Sequence, residues 1–505
     1  MTRIAKIIKN TTFGIVSKLV VLLLNFLIRK LFIVFLSSEY IGLNSLFADL
    51  LGLLNLADLG LGMALQYNLY KPIADKDENK IISLLNAAKK IYNTIGMTVI
   101  VLGIVISFFL QYLIKDNAFD CFLLQNIFIL YVLSNAVTYF FAHKRLFLQT
   151  LEYIYITNYV DIIIEILSSI LKILAIVVFR NFYLYVFVEL LKNLISNYII
   201  SRFCDYKYPA VKQSGYDKTD VAELCLNFKE LIPNKLSNYV FFNTDNTVLS
   251  VLLGINVVTL YSNYASIINQ LFWLGALIAS VVKVSFGNMI QENRKMDVHM
   301  KWFSTYLFLQ FVFSSIIGVL MYVLIDDFIT LFYGYEFVID EICVLFLVLN
   351  FFVDSIQQPF SMLIEVEGEF KALRKQAFAC MIINIVISVF ATFYIGIIGP
   401  ILGTFIANIA SLVYRIFVCI GKHYKSYLNK ILKKILTFHF IFLTELILVS
   451  FVKMRITTMI TIANFSVKAI CYGGILVAIT WIFFHKTEEY SLIKSNAKKF
   501  MVNRF

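Results

Sequence analysis

Lys18, Asn25 and Arg29 stand in the first apolar stretch of the chain at spacings of seven and four residues. At 100° per residue a helix keeps them within about 40° of one another, so they form one cationic stripe. A charge near the centre of a bilayer costs about 2.5 to 3.5 kcal/mol, and such groups face other helices or a water-filled cavity. No cluster of acids is set to neutralise Lys18 and Arg29, which favours a ligand-facing role over a structural one. Lys30 points roughly a third of a turn away and suits the outer interface, where its stem stays in lipid and its ammonium in water.

Two later stretches carry similar faces. In the run PNKLSNYVFFNTDN, from Pro233 to Asn246, a helix places Lys235, Asn238, Asp245 and Asn246 on a face about 100° wide. In the next stretch Asn269, Trp273, Ala276, Ser280 and Lys283 form a narrow stripe with an indole among its polar groups. Ammonium groups pair with phosphate, amides bind hydroxyls, and an indole stacks on a pyranose face. These residue types suit an anionic group attached to sugars, and the three faces are the candidate lining of a substrate cavity.

Elsewhere the buried polar residues carry both signs. The second stretch has Asn44, Asn55 and Asp58 on one side and Asp49 on the other; the fifth has Asp161, Glu165, Ser168 and Lys172 on a single face; the sixth has Glu189, Lys192, Asn193 and Ser196. For the last two sets the plainer reading is that acids and bases neutralise each other between helices. The sharper alternative is a proton or cation site built from Asp161 and Glu165.

The elements that must position these groups follow from composition. A chain of 505 residues with 60% hydrophobic content, 15% charged residues and mean hydropathy +0.81 cannot present a water-compatible surface. A spanning helix needs about 20 apolar residues, and about fourteen such stretches run from 12–36 to 461–484. The expected fold is therefore all-α and integral to the membrane. With a cytoplasmic N-terminus, the inner gaps hold roughly 29 Lys and Arg and the outer ones roughly four, namely Lys115, Arg180, Lys453 and Arg455. That ratio sets both termini inside. The net charge of +12 then reports topology and contact with anionic lipid headgroups, and nucleic acid is not an expected partner.

One stretch resembles a linker, 204–228, with Pro209, Gly215 and mixed charges. It divides the chain into an N-terminal lobe (1–203, spans one to six), a C-terminal lobe (229–422, spans seven to twelve) and a last part (423–505) with two more spans and a tail. Sliding the second half back by about 217 positions lays span seven on span one and spans eleven and twelve on five and six, which reads as a parallel internal repeat. Pro72, Pro233, Pro359 and Pro400, with Gly42, Gly52, Gly60 and Gly62, interrupt the spans or their ends. Such breaks mark hinges in transporters or tight packing through small residues.

The first apolar stretch is too long for a cleavable signal peptide and is expected to remain as a span. The seven cysteines are scattered without a CxxC pair, so neither a disulfide framework nor a zinc site is expected. His143, His299, His423, His439 and His485 form no HExxH, and no P-loop, GxSxG or dinucleotide-binding glycine pattern occurs. We expect no catalytic residues, no metal and no cofactor. Any uphill transport has to use a gradient.

The segment EYIGLNSLFADLLGLLNLADLGLGMALQYNLYKPIADKDENKI, from Glu39 to Ile81, with the Lys89-Lys90-Ile91-Tyr92 region after it, resembles the start of bacterial polysaccharide flippases. These are the Wzx-type members of the MOP (multidrug/oligosaccharidyl-lipid/polysaccharide) transporter superfamily. The resemblance implies two six-helix lobes in a V-shaped, MATE-like arrangement plus two C-terminal helices, in the cytoplasmic membrane of a bacterium. It implies that undecaprenyl-diphosphate-linked oligosaccharide moves from the inner to the outer leaflet by alternating access, coupled to H+, Na+ or no ion, beside other polysaccharide assembly proteins. By position, Lys18, Arg29, Lys235 and Lys283 are its candidates for engaging the diphosphate, and Asp58 stands where many relatives have a glutamate.

Two rival functions remain at this stage. A multidrug extruder of the same superfamily should prefer acidic, aromatic cavities, against the excess of Lys and Arg on spans one, seven and eight. A membrane polysaccharide polymerase or ligase needs a sizeable outer loop, and the longest outer gap, about Asp326 to Phe337, is short and acidic.

Overall fold

The computed structural model describes residues 20–55, 61–115, 119–212, 215–217, 219–222, 224, 237, 239–240, 243–291, 296–367, 370–453 and 461–492. Among these residues the regular structure is helical and no strand occurs. The helices are α1 (20–35), α2 (Glu39–Leu54), α3 (Leu61–Asp75), α4 (Glu78–Ser107), the short α5 (Leu110–Leu113), α6 (Cys121–Thr150), α7 (Ile154–Val177), α8 (Phe182–Lys207) and α9 (Asp245–Leu252). There follow α10 (Ile255–Gln291), α11 (Met296–Phe332), α12 (Glu341–Val366), α13 (Phe370–Ile395), α14 (Ile398–His423), α15 (Leu428–Lys453) and α16 (Ile462–Phe484).

Local chemistry starts several of them. Asp77, Asp120, Asn181 and Thr461 each accept a hydrogen bond from the backbone N–H three residues on, capping α4, α6, α8 and α16. Pro72 lies inside α3 and Pro359 inside α12, while Pro400 falls in the first turn of α14, where its missing N–H costs little. The second apolar stretch forms α2 and α3, on either side of 56–60, which are outside the described residues.

Eight described helices are long and apolar enough to cross a membrane. This is a multi-pass membrane protein. α7 and α8 have comparable length and carry Asp161, Glu165 and Lys172 on the first and Glu189, Lys192 and Asn193 on the second. Lipid-facing apolar side chains are correspondingly exposed, as at Val101, Phe390 and Ile470.

The chain divides into two compact units after Thr259. In the first, α4 packs on α6, α6 on α8 and α8 on α7, with α2 and α3 against α6. α9, the described end of span seven, packs on α2 within this same unit. A Cβ on Gly42 of α2 would meet the carbonyl oxygen of Ile255 at 2.5 Å, and one on Gly52 would collide with the Tyr239 ring. Both glycines are places of close helix approach. Rings fill the remaining core, with Phe47 edge-on to Phe128 at 5.0 Å.

In the second unit α11 packs on α12, α12 on α14 and α14 on α13, while α15 and α16 lie against α11. That order repeats the α4, α6, α8, α7 series of the first unit. The side chains repeat as well. Ser196 donates to Asp161 at 2.6 Å on α8 and α7, and Gln376 donates to Ser411 at 2.7 Å on α13 and α14. Both partners are displaced by 215 positions (376 − 161 and 411 − 196), close to the shift expected from the sequence.

Three of the four basic residues expected outside are tied to the protein. Lys115 donates to the carbonyl of Leu252 at the end of α9 (2.8 Å), where the helix dipole favours a cation. Lys453 pairs with Glu341 at 3.1 Å, and the Arg180 guanidinium lies 5.9 Å from the centre of the Phe35 ring. Arg455 is outside the described residues. On the other side the linker is docked on α4: the side chain of Asp220 is fully buried and receives Lys80 Nζ and Ser83 Oγ, each at 2.5 Å.

Candidate functional site

The first unit holds a connected set of charges between α6, α7 and α8. Arg145 on α6 grips Asp161 on α7 with two parallel bonds, Nη1 to Oδ2 at 2.7 Å and Nη2 to Oδ1 at 2.8 Å. Its Nε also reaches Asn197 Oδ1 at 3.2 Å. This fork geometry is among the stronger and more directional of polar contacts. One turn deeper, Lys192 on α8 bridges Glu165 Oε2 (3.1 Å) and Glu189 Oε1 (2.5 Å), and Lys172 on α7 closes the other side of Glu189.

These groups line two adjoining chambers. The larger, about 610 Å³, is bounded by Tyr92, Tyr139, Arg145, Asp161, Glu165 and Lys192. The smaller, about 390 Å³, is bounded by Asn25, Asn44, Tyr131, Lys172, Glu189 and again Glu165 and Lys192. Tyrosine hydroxyls tie the walls together: Tyr139 donates to Asn55 at 2.7 Å, and Tyr131 donates to Asn44. Asn193, shared by both chambers, donates to Ser134 Oγ at 2.9 Å.

Three cations, Arg145, Lys172 and Lys192, face three carboxylates, Asp161, Glu165 and Glu189. The set is electrically balanced. Protonation of one acid would leave its basic partner in excess.

Of the residues singled out in the sequence, Asn25, Asn44, Asp161, Glu165, Lys172, Glu189, Lys192, Asn193 and Ser196 come together at these chambers. Arg29 is half-buried on α1 and is not among the residues lining either chamber. Asp245 is buried at the start of α9, and its neighbour Asn246 donates to Asp49 at 2.9 Å. Asn269 is exposed and Trp273 half-buried on α10, in the second unit. Lys18, Asp58, Lys235 and Asn238 lie outside the described residues, as does the side chain of Lys283.

Sequence reasoning missed Arg145. Hydropathy falls beyond Ala142, where His143, Lys144 and Arg145 follow one another. α6 instead continues to Thr150 and carries Arg145 into the chamber and Lys144 to within 2.6 Å of Asp205. The signal was the unbroken helical run with no Gly or Pro from Cys121 to Thr150.

No protein-family model matches the chain, and no curated protein matches its sequence. Solved structures do match. The lipid II flippase MurJ superposes with a TM-score of 0.72 at 16% identity, over 94% of this chain and 99% of its own. Its fold is the MOP-transporter fold. A multidrug resistance MATE family transporter of the MOP superfamily, in an inward-facing conformation, gives 0.62 at 15% identity, over 81% of this chain and 95% of its own. The eukaryotic MATE transporter AtDTX14 gives 0.55 at 11% identity, over 83% and 98%. These neighbours are transporters and flippases rather than enzymes. The MOP fold accounts for the all-helical build, whereas identities this low say nothing of cargo.

Proposed function

We propose that this chain is a lipid-linked oligosaccharide flippase of the Wzx type, moving undecaprenyl-diphosphate-linked glycan from the inner to the outer leaflet of a bacterial cytoplasmic membrane. The observation that carries this reading is the excess of Lys and Arg over acids on spans one, seven and eight, in a chain whose fold is shared with a lipid flippase and with MATE transporters alike. The electrostatics support it. The α6–α8 chambers are balanced in charge, so they supply no net attraction for a diphosphate. That role falls to the cations of spans one, seven and eight: Lys18, Arg29, Lys235 and Lys283. Asn25, Asn238, Asp245, Asn269 and Trp273 provide amide, carboxylate and indole contacts for sugars.

The physical need for such a protein is plain. Drawing a diphosphate and several sugars through hydrocarbon is prohibitive unless a hydrated, basic cavity replaces the lost solvation. Alternating access about fourteen spans, with both termini cytoplasmic, delivers the headgroup while the polyprenyl tail stays in lipid. Exchange of H+ or Na+ at Asp161 and Glu165, with Asp58, supplies coupling.

The second reading, a multidrug extruder, is favoured by the carboxylates and tyrosines of the chambers. Reconstitution separates the two. The protein in proteoliposomes is expected to move a fluorescent polyprenyl-diphosphate oligosaccharide between leaflets and to leave ethidium gradients unchanged. Efflux of ethidium without movement of the lipid would establish the extruder instead.

A further inference from the structure

Outside the chambers, the first unit has a groove of about 1010 Å³ along α4, walled on its other side by Gly215 and Tyr216 of the docked linker. Its lining changes character along the helix. At the linker end stand Asn86, Lys89, Lys90 and Asn93; further along stand Met97, Val101 and Leu102. Met97 and Val101 are each 60% exposed.

We propose that this groove binds one anionic glycerophospholipid, with its phosphate at Lys89 and Lys90 and an acyl chain along Met97, Val101 and Leu102. Among the described residues no carboxylate lines the groove, so the two ammonium groups face it without a competing acid there. Lys90 Nζ donates to the Tyr216 hydroxyl at 2.7 Å and lies 5.0 Å from the centre of that ring. An ammonium has three donors, and this one contact orients it while leaving capacity for phosphate oxygens.

The dimensions match one leaflet. From Lys90 to Leu102 the helix rises roughly 18 Å, and half of a hydrocarbon core is roughly 15 Å. A free phosphate would use the basic end alone and leave the apolar end unexplained. The linker wall is itself held in place, by the buried Asp220 with Lys80 and Ser83, and by Asn86 Nδ2 donating to the Gly215 carbonyl at 3.0 Å. The charge pattern of the sequence places this end on the cytoplasmic side. The site requires that α4 span the bilayer and does not depend on which cargo the protein moves.

Native mass spectrometry of the full chain in detergent tests it, with phosphatidylglycerol and phosphatidylcholine of identical acyl chains. Phosphatidylglycerol should be retained roughly 10-fold more than phosphatidylcholine, and K89Q/K90Q should abolish that preference. Met97→Trp, which fills the apolar half from an exposed position, should also lower phosphatidylglycerol binding, and it decides the matter if the double variant fails to fold. A control pair at two exposed cations of α13, R374Q/K375Q, should bind as the unaltered protein does. Millimolar inorganic phosphate should leave the lipid bound. Equal retention of the two lipids, an unchanged preference in K89Q/K90Q, an equal loss in the control pair, or displacement by phosphate alone would each overturn the proposal.

Discussion

Replacing Lys192 with methionine is expected to abolish transport and to lower the stability of the protein. This ammonium is shared by Glu165 and Glu189, and without it three carboxylates of the chambers are left with Arg145 and Lys172. Removing one partner of a fully buried pair costs about 3 to 5 kcal/mol. The cost here is smaller, because Glu165 and Glu189 each keep 23% of their side-chain surface exposed. Thermal unfolding in detergent measures the loss. Adding Glu165→Gln to the variant should restore part of the stability, since one excess charge is removed, while transport stays absent if Glu165 exchanges the coupling ion. Recovery of both stability and transport would reduce Glu165 to a structural partner.

A second expected result concerns cargo. Arg29→Ala should reduce export of the lipid-linked glycan by roughly 10-fold to 100-fold, the range for a lost hydrogen bond to a charged group, without loss of folded protein. The double variant with Lys18→Ala should be more impaired than either single one. Export assays in a strain lacking the native gene, with protein levels measured in parallel, give the comparison. Full activity in both single variants and the double variant would remove the first stripe from the binding site.

The membrane-spanning helices were legible in the sequence because lipid forces long apolar runs, and the last expected stretch, 461–484, is α16 (Ile462–Phe484). The repeat was legible for the same reason, and the pairs Asp161–Ser196 and Gln376–Ser411 now give it a structural basis. Charges at helix ends were less readable. Arg145 looked like a loop residue because hydropathy falls where α6 turns polar, although helix hydrogen bonding continues to Thr150. Periodicity also identifies a face without naming the partner it meets. It grouped Asp161 with Glu165 and set the acids and bases of spans five and six against each other, as the bridge through Lys192 does, but not the fork from Arg145, which depends on how three helices pack. The mixed charges of the linker mark a boundary in the sequence without showing that Asp220, buried against Lys80 and Ser83, anchors part of it to α4.

The central claim, that this chain carries a diphosphate-linked glycan across the bilayer, is tested most directly by the leaflet on which that glycan accumulates when the protein is deleted from its host and no substitute flippase is present. The account predicts accumulation on the cytoplasmic leaflet, reversed by the native gene and not by its Lys192→Met variant. Normal delivery to the outer leaflet in the deleted strain would contradict it.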